Sequence, residues 1–411
     1  MKFHTIKLEE LFEISTKNGL TRPSRDRGIG FKMVNMGELF ANDIIRDIPM
    51  ELVEMNPTEQ KNFNLQNEDL LFARQSIVAE GAGKCSIVDN VKELTTFESH
   101  LIRVRLNKKI CNPWFYFYYF ASPLSPMKSI IMQGVQAGIK ASDLKDLDVI
   151  YPSLEDQNKI SCFFRNIDEL IFNNSQSVVQ LHQIIESLYR EWFINFKFPN
   201  YEQVKFVDGI PEGWVKKTIF DCYEVLSGGT PKTTNPLYWE NGKIPFFTPK
   251  DATDSYFVNE TEKYITEDGL SRCNSKLYDE KTIFITARGT VGKTAIPMRP
   301  MAMNQSCYAL KPKADLCFYY SFLNIEDAIN QIKQNANGGV FDAIVVDTFK
   351  QIDVLVPDME IQVKFENLVQ PMFEQIKNLL EQNEHLVELK HTLLPRLMSG
   401  ELDVSKLSSV E

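Results

Sequence analysis

The strongest constraint on this chain is that its second half repeats its first. Asp148-Val-Ile-Tyr-Pro152-Ser-Leu-Glu-Asp-Gln157 returns as Asp353-Val-Leu-Val-Pro357-Asp-Met-Glu-Ile-Gln362, and the offset of 205 holds without a gap for over forty residues. Ile160 maps to Phe365, Ile171 to Ile376, Leu188 to Leu393 and Trp192 to Leu397. Upstream the match is looser: residues 8–14 answer to 219–225, Phe72-Ala-Arg74 to Thr286-Ala-Arg288, and Ser99 to Ser306. The 411 residues are therefore one unit used twice, a variable globular half followed by a helical segment. The divisions fall at 1–150, 151–205, 206–355 and 356–411.

The helical segments follow from periodicity. Pro152 and Pro357 end strands, and Glu155, Asp156, Asp358 and Glu360 follow, where the helix dipole favours acids. Ile171, Asn174, Val178, Leu181, Ile185, Leu188 and Trp192 stand alternately three and four apart. Ile376, Leu379, Asn383, Leu386, Lys390, Leu393 and Leu397 repeat the pattern. This spacing predicts a coiled-coil seam in which the two copies pair, with an Asn in each fixing register. The plainer reading is an amphipathic helix lying on its own domain. Pro371 predicts a break or kink, with the longer helix starting there.

The globular halves carry short strand-like runs, such as Leu70-Leu-Phe72 and Thr282-Ile-Phe-Ile285, bounded by Gly, Asn, Asp and Pro. The aromatic runs from Trp114 and from Phe318 read as short buried helices rather than base-stacking platforms. The fold class is α+β: two mixed α/β domains separated by two long helical segments pairing as an antiparallel coiled coil, with an internal pseudo-two-fold repeat.

Several classes fall away. The longest apolar run has eight residues against about 18 for a membrane span, and no secretory leader opens the chain. Seven scattered cysteines with no CxxC pair exclude a zinc site and a disulfide framework, pointing to a cytoplasmic protein without structural metal. Ala287-Arg-Gly-Thr-Val-Gly-Lys293-Thr294 imitates a phosphate-binding loop. Pro297 and Pro300 follow where a helix is required, so a strand-turn-strand loop is the better account. Asn112-Pro113-Trp114-Phe115 and Asn235-Pro236-Leu237-Tyr238 lack the second proline of an amino-methyltransferase element and read as turn or helix starts. No catalytic set emerges.

The net charge of -10 argues against nucleic acid until it is divided. Residues 1–150 hold 19 basic and 19 acidic side chains and residues 206–355 hold 16 and 19; the two helical segments hold 5 against 7 and 5 against 10. Most of the acidity is helical, and the bases gather in loops. Lys17, Arg22, Arg25 and Arg27 lie in one loop, with Arg74, Gln75 and Lys84 in another. Thr230, Lys232 and Thr233, then Lys250, then Arg288, Thr290 and Lys293, and finally Asn304 and Gln305 occupy the second half. Such residues suit phosphate contact and base-edge reading.

Ser227-Gly-Gly-Thr-Pro-Lys-Thr-Thr-Asn-Pro-Leu-Tyr-Trp239, Thr286-Ala-Arg-Gly-Thr-Val-Gly-Lys-Thr294, Gly209-Ile-Pro-Glu-Gly-Trp214 and Leu393-Leu-Pro-Arg-Leu-Met-Ser-Gly-Glu-Leu-Asp403 resemble the specificity subunit of type I restriction-modification systems. The resemblance covers nearly the whole chain, although the first half has Asn18-Gly-Leu-Thr-Arg-Pro23 where the second has Gly-Gly-Thr-Pro. It implies a non-catalytic subunit that recognises a bipartite, asymmetric site in double-stranded DNA. The two globular segments would be target-recognition domains, and the helices would dock methyltransferase subunits. S-adenosylmethionine, and ATP with Mg on a motor-nuclease subunit, would belong to the partners; this chain would bind no cofactor. Residues 167–193, about 40 Å as a helix, would set the spacing of half-sites. The competing readings are a helical adaptor that never touches DNA and a P-loop nucleotide hydrolase.

Overall fold

A computed structural model describes residues 3–77, 81–132, 137–335 and 343–403. The chain forms two compact units, one of residues 1–173 with 382–411 and the other of residues 174–381. Four helices organise them: α1 (Pro113–Ala121), α2 (Leu154–Tyr189), α3 (Phe318–Asn335) and α4 (Met359–Met398).

The first unit contains β1 (Phe12–Asn18), β2 (Arg27–Val34), β3 (Ile44–Ile45), β4 (Glu51–Val53), β5 (Leu70–Ala73), β6 (Cys85–Val88), β7 (Thr95–Phe97) and β8 (Leu101–Leu106). Five strands run β1-β8-β5-β6-β3, antiparallel except for the β3–β6 pair; β4-β2-β7 form a second sheet, with β2–β7 parallel. The second unit contains β9 (Tyr223–Ser227), β10 (Ile244–Phe247), β11 (Phe257–Val258), β12 (Tyr264–Ile265), β13 (Ile283–Thr286), β14 (Thr294–Pro297), β15 (Ala302–Met303) and β16 (Cys307–Pro312). Its sheets run β9-β16-β13-β14-β11 and β12-β10-β15, and every strand pair matches the first unit in order and direction. The loose upstream similarity thus conceals an identical topology.

The aromatic runs are core. Eight of the nine residues of α1 are buried, and Asn112 caps the helix by accepting from the amide of Trp114 at 2.9 Å, with Pro113 at its first position. Asn235 caps the turn Pro236–Tyr238 in the same way. Both Asn-Pro pairs are caps, not methyltransferase elements.

The helical seam forms within each unit. In the first, Ile160, Phe164 and Ile167 of α2 share a core with Leu394, Leu397 and Met398 of α4, and Ile171, Leu386 and Leu393 pack at its margin. The Lys390 ammonium bridges Asp168 at 2.6 Å, and the Asn383 amide reaches the Ile171 carbonyl at 3.5 Å. In the second, Val178, Ile185 and Tyr189 join Val369, Phe373, Ile376 and Leu379, with Leu181, Leu188 and Trp192 at the margin. His182 and Phe373 both stack on Tyr256, and Phe193 meets Phe365 at 4.8 Å between centroids. In each unit rising numbers on α2 meet falling numbers on α4, so the pairing is antiparallel. The Asn and Lys interruptions fall at contacts rather than in solvent.

Two expectations are corrected. Helix α4 begins at Met359 and passes through Pro371 unbroken. Proline removes one hydrogen bond and crowds one carbonyl, a cost of about 3 kcal/mol in a helix interior. Val369 and Phe373, both fully buried on either side, offset it. Helix α2 starts at Leu154, well before residue 167, and ends in a π turn at Arg190–Ile194.

A matched pair of buried glutamines fixes where these helices start. Gln157 accepts from the Asn112 amide at 2.8 Å and donates to the Pro152 carbonyl at 2.9 Å. Gln362 accepts from the Cys317 amide at 3.0 Å and donates to the Pro357 carbonyl at 2.9 Å. Each ties a long helix to the strand before it and to the start of α1 or α3, which explains why the motif ends on Gln in both copies.

Candidate nucleic-acid interface

Backbone hydrogen bonds align the two units residue by residue. In the first, amides of Gly19, Leu20, Glu98, Ala73, Arg74 and Ile139 donate to carbonyls of Leu101, Phe97, Val34, Lys84, His100 and Arg74 at 2.8–3.2 Å. In the second, Gly228, Gly229, Asn304, Thr286, Ala287 and Ile344 donate to Cys307, Met303, Phe247, Lys293, Ser306 and Ala287 at 2.7–3.3 Å. Gly19-Leu20-Thr21 is therefore the counterpart of Gly228-Gly229-Thr230, although the sequences diverge there. The alignment also moves the sequence match by one residue. Arg288 corresponds to Gln75, not Arg74, and Ser306 to His100, not Ser99.

The glycine corner is built by proximity. A Cβ on Gly228 would lie 1.9 Å from the Asn304 carbonyl oxygen, and one on Gly19 would lie 2.1 Å from that of Phe97. Only glycine lets β9 and β1 end against the segments that precede β16 and β8. In the second unit this brings Thr230 onto Gln305, whose side-chain oxygen accepts from the threonine hydroxyl. Lys232 and Thr233 continue outward and are exposed.

The loop that imitates a phosphate-binding motif is a β-hairpin. Strand β13 pairs antiparallel with β14, with Ile285 opposite Thr294, so no helix N-terminus is available to hold phosphates. Gly289 and Gly292 adopt φ of +79° and +72°, the left-handed conformation that favours glycine. Thr286, fully buried, accepts from the Lys293 amide at 2.9 Å and donates to the Thr290 carbonyl. The Thr290 hydroxyl donates to the Pro249 carbonyl at 2.9 Å, setting the hairpin beside Lys250. The corresponding loop after Ala73 is four residues longer between its anchoring bonds.

The candidate bases differ in freedom. In the second unit Arg288 is exposed and has no hydrogen-bond or ion-pair partner among the described residues, and Lys250 is 80% exposed with only Glu262 at 3.7 Å. Lys293 is paired with Asp254, whose carboxyl it holds below the usual range through that hydrogen bond. Asn304 is half-buried, and its side-chain oxygen accepts from the Ser306 amide at 3.0 Å. In the first unit Arg25 is 85% exposed, Arg74 is exposed, and Gln75 is half-buried in a short strand paired with Ala137–Gly138. Lys17 lies over the Phe63 ring at 4.4 Å. Arg22 bridges Glu59 at 2.6 Å, Arg27 bridges Glu51 at 2.7 Å and donates twice to the Arg22 carbonyl, and Lys84 contacts Asp43 at 3.1 Å and the Phe40 carbonyl at 2.8 Å. These last three hold the loops together. The sequence pattern could not distinguish them from the free bases, because their acidic partners are tens of residues away.

Behind the hairpin, burial raises the Glu326 carboxyl to about 7, with the Glu186 charge adding to the effect. The Thr294 hydroxyl lies 3.4 Å away, and the Lys333 ammonium donates to the Gly292 carbonyl at 2.6 Å.

Known proteins share this plan. The family model described as the type I restriction modification DNA specificity domain matches residues 1–183 and again 211–387. The type I restriction enzyme MjaIX specificity subunit of Methanocaldococcus jannaschii is 31% identical over 277 residues, covering 66% of this chain and 64% of that protein, just under two thirds of its length. The HindI specificity subunit of Haemophilus influenzae is 22% identical, over 90% of this chain and 94% of that one. The crystal structure of a type I restriction-modification S subunit from M. genitalium superposes with a TM-score of 0.63 at 14% identity, covering 97% of this chain and 96% of that one, which shows a shared fold. With its duplicated domain matched twice and its topology repeated strand for strand, this chain belongs to the type I restriction-modification DNA specificity family.

Proposed function

We propose that this chain is the non-catalytic DNA-sequence specificity subunit of a type I restriction-modification complex in the cytoplasm, each unit reading one half of a bipartite, asymmetric site in double-stranded DNA. One observation carries this reading: the same glycine corner and hairpin are built twice on one framework, but with different side chains at matched places. Gln75 stands at the position of Arg288, and Leu20 at that of Gly229, so the two edges would prefer different bases. The DNA-facing set is Arg25, Arg74 and Gln75 in the first unit. In the second it is Thr230, Lys232, Thr233, Lys250, Arg288, Thr290, Lys293, Asn304 and Gln305; Lys17 is a flanking phosphate contact of the first unit.

Methyltransferase subunits would dock on the long helices, which expose Phe172 in the first unit and Val179 and Ile184 in the second, away from their seams. S-adenosylmethionine belongs to those subunits, and ATP and Mg to a motor-nuclease subunit. Among the described residues no cluster of His, Cys, Asp or Glu could hold a metal. None of the helices there is long and apolar enough to cross a membrane.

Arg288→Ala tests the surface. In the assembled complex it should weaken DNA binding about tenfold and lower the slope of log affinity against log salt by about one, with melting unchanged. Unchanged affinity removes the hairpin from the interface. An adaptor that never touches DNA would give no salt-dependent footprint with either protein. Lys293→Ala should leave nucleotide binding by the complex unchanged in the absence of DNA, because the hairpin lacks a phosphate-binding geometry; a loss of nucleotide affinity would contradict that.

A further inference from the structure

Single exposed aliphatic side chains are ordinary on protein surfaces, but this fold builds one deliberately on the first unit's DNA-facing edge. Ile29 is 74% exposed on β2, between Gly28 and Gly30 at φ of +113° and +110°. The register against β4 slips there, with Arg27 and Phe31 both opposite Val53, so residues 28–30 form a bulge. A Cβ on Gly30 would lie 2.4 Å from the Val53 carbonyl oxygen, which presses the bulge against β4 and turns the Ile29 side chain outward. It borders a groove of about 580 Å³ with Arg25, which is 85% exposed and has Asp26 at 3.6 Å, and with the Arg22–Glu59 and Arg27–Glu51 pairs that make the walls rigid.

The second unit reaches the same result by a different route. At the matched place, two residues before β10, stands Gly242, packed on the Ile265 backbone and carrying no side chain. The preceding turn supplies the aliphatic group instead. Leu237 is 72% exposed, its amide held by Asn235 at 3.2 Å and its carbonyl by the Thr266 hydroxyl at 2.9 Å. Each unit thus presents a bare aliphatic side chain on a fixed backbone in the segment that follows its glycine corner, and the first unit exposes a second, Ile77, beside Gln75.

We infer that Ile29 and Leu237 are specificity-determining residues that read a thymine C5-methyl group in the major groove, one in each half-site. This rests on the DNA-specificity reading above. Apolar contact reads that methyl, a base-edge signal that hydrogen bonds do not carry. Fixed presentation means little side-chain or loop entropy is lost on contact. The neighbouring exposed cation, Arg25, held only by an exposed pair with Asp26, is placed to hold the backbone while the aliphatic group meets the base edge.

The test uses the complex assembled with its methyltransferase and duplexes carrying its own methylation motif, with deoxyuridine replacing thymidine at one position at a time. Removing the methyl at the read position should weaken wild-type binding about fourfold, the effect of one buried methylene-sized group. Ile29→Ala should abolish that sensitivity in one half-site only, and Leu237→Ala in the other, with melting unchanged in both. Deoxyuridine without effect on wild type, sensitivity that survives both substitutions, or a half-site with no A·T pair overturns the inference. Failure of the wild-type complex to prefer its motif over random DNA overturns the functional reading, and this inference with it.

Discussion

Gly228→Ala should unfold the second unit's recognition edge, at a cost of about 2–4 kcal/mol, and abolish specific DNA binding by the complex. The backbone conformation is not the reason, since neither Gly228 nor Gly19 needs a positive φ. The reason is space. The added Cβ would meet the Asn304 carbonyl oxygen at 1.9 Å and the Met303 carbonyl oxygen at 2.7 Å, both main-chain atoms fixed by the start of β16. Relief requires parting β9 from that segment, which breaks the hydrogen bonds that the Gly228 and Gly229 amides donate to Cys307 and Met303 and displaces Thr230 from Gln305. Gly19→Ala should do the same to the first unit through the Phe97 and Glu98 carbonyls. Gly37→Ala is the control, because nothing lies within 4 Å of a Cβ there and the residue is helical. Urea denaturation checks all three; wild-type stability in Gly228→Ala would contradict the close approach.

Glu326→Gln should stabilise the protein at pH 8 by about 1–3 kcal/mol and flatten its pH dependence. Burial is the main reason its carboxyl titrates near 7 when folded, against 4.5 as the ordinary value, with Glu186 adding repulsion. The folded state thus holds this proton over a range in which the unfolded chain has released it. Wild-type stability is full below about 4.5, falls as pH rises from there to about 7, and stays lower above. The glutamine keeps the Thr294 contact and carries no charge to desolvate. Chemical denaturation of both proteins from pH 5 to 8 reads the difference directly. Parallel curves would mean that Glu326 is solvated or compensated by Lys333 and Lys293.

The sequence displayed the architecture because periodicity and repetition are local signals. The seam residues Ile185, Ile376 and Leu397 are buried as their spacing required, and Pro297 and Pro300 correctly opposed a helix after Lys293. Pro371 misled because a helix penalty of a few kcal/mol is small beside the burial of its neighbours, and burial is not visible in one sequence. The geometry of the candidate recognition edges was half legible. Composition found the loops but could not show that Arg22 and Arg27 are spent on Glu59 and Glu51, so deleting residues 17–27 would test folding rather than DNA contact. The equivalence of Gly19 with Gly228 was hidden by Leu20 and Arg22, where the second half has Gly229 and Pro231. It emerged only from which carbonyl each amide meets. Ile29 gave no signal at all, since its meaning lies in a register slip between β2 and β4.

The central claim is that two copies of one domain each specify half of a DNA site. Mapping methylated bases across the genome, in cells with and without this chain, tests it most directly. The account predicts one bipartite, asymmetric motif that is methylated with the chain and unmethylated without it, with Gly19→Ala and Gly228→Ala each erasing it as well. A methylation pattern that is the same in the presence and absence of the chain would contradict it.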